Sequence, residues 1–272
     1  MIETLLGYFS YKFVMYAIIV GVLVSLCSSL LGVTLVLRRF SMIGDGLSHV
    51  AFGALVIGTV LGSAPLAVAV PVVIAAAFFI LRISENSRIG GDAAVAMVSS
   101  VSLAVGVIVI SVTTGMNTDV TSYMFGSINS MEKSDALLTV LLSSVTTLLY
   151  VLFFNRIFSL TFDETFAKAT GMRTGIYKFA ISAVTAVTVV VGMRVIGAML
   201  ISALIIFPAT SAMRLTRSFR GTAVCASVIS VVCCFVGICA SCLFSLPTGA
   251  SIVAANAICF LIFQVTSAII KR

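Results

Sequence analysis

Charge is the scarcest property of this 272-residue chain: 9% of its residues are Asp, Glu, Lys or Arg, while 61% are hydrophobic and the mean hydropathy is +1.25. A soluble domain carries about 25% charged and roughly 45–50% apolar residues. This much apolar surface cannot be hidden in one soluble core. A soluble enzyme, a disordered chain and a disulfide-stapled secreted domain are excluded. Other absences narrow the chemistry. There is no GxxxxGK[ST], so the chain has no P-loop for ATP. No CxxC is followed by a second pair or by His, and His49 is the single histidine, which argues against a Cys–His metal site. No nucleophile, base and orienting group fall together, and no low-complexity tract occurs. No basic stretch is interleaved with aromatics, so no nucleic-acid partner is expected. The apolar runs are continuous, unlike the alternating strands of a β-barrel.

What is present is a series of such runs. A spanning helix takes about 20 mostly apolar residues. The runs and their breakers give nine candidates: 13–37, 41–62, 64–81, 92–112, 135–154, 177–192, 195–213, 221–244 and 249–270. The expected fold is an all-α polytopic membrane protein of 8–9 transmembrane helices, one domain over 1–272. The first run is too long for the apolar part of a signal peptide and reads as a span. The sixth and seventh are set apart at Val191-Gly192-Met193-Arg194, and Pro208 interrupts the second of them. Basic residues test this division, because Lys and Arg accumulate in cytoplasmic loops. With Arg38 and Arg39 inside, alternation leaves only Lys12, Lys133 and Arg194 outside among the 16 Lys and Arg. Fusing the two runs would move Arg214, Arg217 and Arg220 outside. The pattern therefore expects the N-terminus outside and the C-terminus inside. Topology and anionic lipid account for the net charge of +7. The seven Cys all lie in apolar runs, where the residue packs as a small hydrophobe.

Eight of the nine acidic residues fall in loops or at span ends. Asp45 is the exception. It lies inside the second run, with His49 four residues on and on the same helix face. At about 1.5 Å per residue, His49 lies roughly 15 Å beyond Arg39, near the bilayer midplane. An ionisable group at that depth is costly and marks function by default. Carboxylate plus imidazole suits a divalent transition metal. It equally suits a proton relay, or a buried pair that only fixes packing. Two ligands are too few for Zn²⁺, which takes four; a symmetric dimer with the pair on its axis supplies four. On the inner side, the stretch 155–177 holds a second feature. Asp163 and Glu164 favour a helix start and Gly171 a C-terminal cap. Phe162 and Phe166 are expected on one face of this short surface helix. It is either a solvated connector or a docking helix for a cytoplasmic partner. Asn256 and Gln264, in the last run, read as glue between helices.

The run Arg38-Arg39-Phe40-Ser41-Met42-Ile43-Gly44-Asp45-Gly46-Leu47-Ser48-His49-Val50-Ala51-Phe52-Gly53 resembles the signature of permease subunits of bacterial zinc, manganese and iron ABC importers, the ABC-3 metal permease family. The likeness continues through Ser122–Ile128, Phe162–Gly171, Gly192–Leu200, Ile206–Ala209 and Leu246–Ala250, nearly the whole chain. It implies a type II-like ABC importer permease, a homodimer in the bacterial cell membrane. Each copy docks on a cytoplasmic ABC ATPase subunit that holds the ATP. An extracellular metal-binding solute-binding protein delivers the ion. The chain itself is then no enzyme, and the metal is its transported substrate, with no permanently bound cofactor. The resemblance implies that Asp45 and His49 belong to the metal path. It also implies that Asp163, Glu164, Phe166, Ala167, Lys168 and Gly171 belong to the segment coupled to the ATPase. Many relatives read SHxxLPG where this chain has Ser48-His49-Val50-Ala51-Phe52-Gly53. The form here resembles the zinc permeases most, so zinc is the expected ion, with manganese or iron as alternatives. A proton-coupled secondary metal carrier is the rival class.

Overall fold

The structure is a computed structural model that describes residues 12–86, 90–113, 133–244 and 246–270. Among these residues every regular element is a helix. In chain order they are α1 (Lys12–Leu37), α2 (Ile43–Val60), α3 (Pro65–Asn86), α4 (Gly91–Val112), α5 (Lys133–Leu152), α6 (Phe154–Phe162), α7 (Glu164–Ala169), α8 (Thr174–Ile196), α9 (Ala198–Leu215), α10 (Phe219–Phe244) and α11 (Thr248–Ile270). A helix satisfies its own backbone, which lipid cannot do for it, so continuous apolar sequence resolves into helices. Eight of them are long and apolar enough to cross a membrane. A ninth crossing appears if Ala136–Leu152 and Phe154–Phe162, bent by 69° to each other, are taken as one span.

The expected spans match these helices closely, with one correction. The break between the sixth and seventh lies at Gly197, with φ 97° and ψ 155°, and not at 191–194. A residue with a Cβ is strained in that conformation, whereas glycine adopts it freely. Gly192 serves another purpose: a Cβ there would collide with Ile201 and press on Val24 at 3.2 Å. Arg194 therefore belongs to the last turn of α8 and to no hairpin loop. The motif Ser122–Ile128 lies outside the described residues. The seven Cys are unpaired thiols, as their apolar setting suggested.

Packing places α9 at the centre. Consecutive helices commonly pair, yet α1 and α2 hardly touch; both lean on α9. Gly32 of α1 admits the backbone of α9, since a Cβ there would collide with the Ile205 carbonyl oxygen. Gly44 of α2 admits the Ile205 side chain, whose Cδ1 would lie 2.6 Å from a Cβ. Ile205 thus sits between two glycines, a close-packing device common between membrane helices. On its other sides α2 packs on α3 and α4. Ile205 stands ten residues before Leu215, about 15 Å along α9. The first turn of α2 is therefore recessed into the bundle by about that distance.

Candidate functional site

Asp45 is the third residue of α2, in the first turn, where free backbone N–H groups favour a carboxylate. His49 follows one turn later. From Ile43 to Val56, these two are the only residues that are not buried. Their side chains are 41% and 25% exposed, which is enough for a small solute to reach both. Three glycines set this orientation. Besides Gly44 against α9, a Cβ on Gly46 would collide with Val95, and one on Gly53 would come within 2.7 Å of the Ser102 carbonyl oxygen. The helix is wedged between α9 and α4 on its glycine sides, leaving one stripe open. Six residues of helix lead from Ile43 to His49, so the pair follows directly on the turn that packs against Ile205 of α9.

His49 Nε2 lies 3.7 Å from Asp45 Oδ2. That is too long for a hydrogen bond. Ions of zinc type bind nitrogen and oxygen at about 2.0–2.2 Å, and a tetrahedral angle then spaces the two donors by roughly 3.4 Å. A few tenths of an ångström of side-chain movement would bring both onto one ion. Ser48 donates its hydroxyl to the Asp45 carbonyl oxygen at 2.7 Å, turning inward and leaving the carboxylate free. No group of three or more His, Cys, Asp or Glu side chains poised for a metal exists among the described residues. One protomer thus offers two ligands.

The second feature is α7. Asp163 caps it: the Phe166 N–H donates to Asp163 Oδ1 at 2.8 Å, satisfying a free first-turn donor. Gly171, at φ 79°, closes the other end, with the Met172 N–H donating to the Ala167 carbonyl and the Gly171 N–H to that of Lys168. The expected faces need correction. Phe162 ends α6, where it packs against Phe158 and Phe219, so it shares no helix with Phe166. Ala167 is fully buried and seats the helix on the chain, out of reach of any partner. Phe166, 61% exposed, is the apolar residue left outward.

Glu164 carries the link that sequence reasoning missed. Its Oε1 accepts from Lys168 Nζ at 2.8 Å and its Oε2 from Lys178 Nζ at 2.6 Å. Lys178 belongs to α8 and is only 8% exposed. A buried ammonium needs a partner. Burial pulls the Glu164 carboxyl upward, but the two ammonium groups outweigh it and hold the group below its ordinary value. The available signal was a lysine at the mouth of an apolar span four residues after the helix start. Asn256 donates to Ile252 of its own helix at 2.9 Å, and its Oδ1, like Gln264 Oε1, has no partner among the described residues.

Comparison with known proteins gives a consistent picture. The sequence model of the ABC 3 transport family matches residues 10–267. The manganese transport system membrane protein MntC of Listeria monocytogenes is 30% identical over 256 residues, covering 94% of this chain and 91% of its own. The manganese import system permease protein ScaB of Streptococcus gordonii is 26% identical, covering 96% and 93%. Among solved structures, PsaBC from Streptococcus pneumoniae in complex with a Fab superposes with a TM-score of 0.85 at 30% identity, covering 97% of this chain and 95% of the other.

Proposed function

This chain belongs to the ABC 3 transport family, and on that footing we propose that it is the permease subunit of an importer that carries a divalent transition metal, zinc first, into the bacterial cytoplasm. One observation carries the proposal: the only openings in the buried stretch of α2 are a carboxylate and an imidazole at ion-bridging distance. Two copies meeting on a twofold axis complete four ligands, the number zinc takes. Asp45 and His49 then replace water as the ion passes the hydrocarbon layer. The chemistry is ligand exchange, with no covalent bond made or broken.

The driving force enters from α7. An ABC ATPase subunit, holding the ATP, docks on its exposed face around Asp163, Phe166 and Lys168. Glu164 passes the displacement to Lys178, and so to α8. Helix α8 leads through Gly197 into α9, whose Ile205 faces Gly44 at the foot of the metal pair. Each closure of the ATPase subunits tilts that chain of contacts and switches the access of the path. An extracellular solute-binding protein supplies the ion on the opposite face. With α7 cytoplasmic, alternation puts the N-terminus outside and the C-terminus inside.

Manganese is the second reading, favoured by the names of the relatives above. Uptake in proteoliposomes, with and without the ATPase subunit and with zinc and manganese in competition, tests all of this. The expected outcome is uptake that needs ATP and the partner, with zinc ahead of manganese. Manganese ahead would reassign the ion. Uptake driven by a proton gradient without ATPase would make the chain a secondary carrier.

A further inference from the structure

Two cavities on the α6–α10 side of the bundle share Phe154, Asn155 and Arg220 as a common wall. The first, of about 530 Å³, runs along the spans and is lined by Leu30, Val151, Val224 and Val228. The second, of about 520 Å³, lies at the loop end of α10 between Phe158, Phe162, Arg217 and Arg220. One is an apolar slot between spanning helices and the other a cationic, ring-walled cup at its mouth. Together they have the two-part shape of a phospholipid.

The cup is built. Phe219 is buried beneath it and holds three rings around itself, with centroids at 5.1 Å to Phe154, 5.4 Å to Phe158 and 5.9 Å to Phe162. The Arg220 guanidinium lies over the Phe154 ring at 5.7 Å, which orients it without neutralising it. Arg217 is exposed beside it. Neither arginine pairs with a carboxylate among the described residues. Two guanidinium groups at the end of an apolar slot lack only an anion with a hydrocarbon tail. Arginine suits a phosphate because its planar fork binds two oxygens at once. Basic pockets between spanning helices at a membrane surface take anionic lipid headgroups.

We propose that this α6–α10 groove binds one anionic phospholipid, its phosphate on Arg217 and Arg220 and an acyl chain between Val151 and Val224. The site neither touches Asp45 or His49 nor depends on the identity of the transported ion. The bound lipid braces the 69° bend between α5 and α6, the joint from which α7 hangs.

Native mass spectrometry of the full chain in detergent, offered phosphatidylglycerol, phosphatidylcholine or soluble glycerol phosphate, tests the site. The expected result is retention of one phosphatidylglycerol at least fivefold over phosphatidylcholine, with no retention of glycerol phosphate. Arg217→Gln with Arg220→Gln should remove that preference while leaving the helical circular dichroism unchanged. Val224→Trp, which fills the slot and keeps both charges, should reduce retention as well. Equal retention of both lipids would overturn the proposal, as would unchanged retention by the double variant. Retention of glycerol phosphate equal to that of the lipid would make the cup a free-anion site. Displacement of the lipid by a stoichiometric ATPase subunit would make this face a protein interface.

Discussion

Among the described residues, two acid–base groupings stand at i,i+4 spacing, and they are built in opposite ways. Asp45 and His49 face each other at 3.7 Å, unbonded, on the single open stripe of a helix wedged by glycines. Glu164 is gripped at 2.8 Å by Lys168 and at 2.6 Å by Lys178, the latter almost buried. The first pair has unused coordinating capacity, whereas each oxygen of Glu164 already accepts from an ammonium group. An ion can compete for the first, because no other side chain among the described residues bonds to it. Nothing should compete for the second, whose contacts hold α7 to α8 as a mechanical joint. Similar residue types at the same spacing are thus held differently, and the surrounding packing decides how.

The largest effect expected is on the open pair. Asp45→Asn and His49→Ala should each lower ATP-driven metal uptake by about 100-fold, on the order of 3 kcal/mol. Both proteins should keep the melting temperature of the parent, since the pair satisfies no buried bond. A melting temperature that falls with uptake would erase the distinction. Next comes Lys178→Met. Removing one partner of a fully buried ion pair costs about 3–5 kcal/mol, and the remaining Lys168 reduces that to about 1–3 kcal/mol. Detergent melts should show this loss, and ATP hydrolysis should continue while uptake fails.

Acid should loosen the joint in a defined direction. The Glu164 carboxyl is held below its ordinary value of 4.5. Its contribution to stability is therefore complete above that value and is lost as pH falls through the lowered one. Melts from pH 6 to pH 3 should show the parent converging on Glu164→Gln only below about pH 4.5. The smallest effect belongs to Lys168→Ala, an exposed i,i+4 contact worth about 0.3–0.5 kcal/mol. A Lys168 effect equal to that of Lys178 would show the joint to be a surface pair after all.

The spans were legible in the sequence because lipid imposes one rule on the backbone and the apolar runs obey it throughout. The ends of α7 were legible for a local reason, Asp163 and Gly171 being strong caps. The break at Gly197 was not, because Gly192 and Gly197 look alike in sequence. One makes room for Ile201 and the other takes a positive φ, and only packing separates those uses. Asp45 and His49 stood out as ionisable groups in an apolar run. Their setting did not, since it depends on contacts from α4 and α9, far off in the chain. Lys178 was hidden by its own plausibility, as one more basic residue on the inner side. Its burial against Glu164 is a tertiary fact.

The claim that the open pair is where the metal binds is tested most directly by equilibrium binding. Radioactive zinc would be dialysed against the full chain in detergent, with the parent, Asp45→Asn and His49→Ala measured side by side. All three carry the same cysteines, so the difference between them reports the pair alone. The account predicts one ion per two chains in the parent, and affinity at least tenfold weaker in both variants. Equal binding by all three proteins would contradict it.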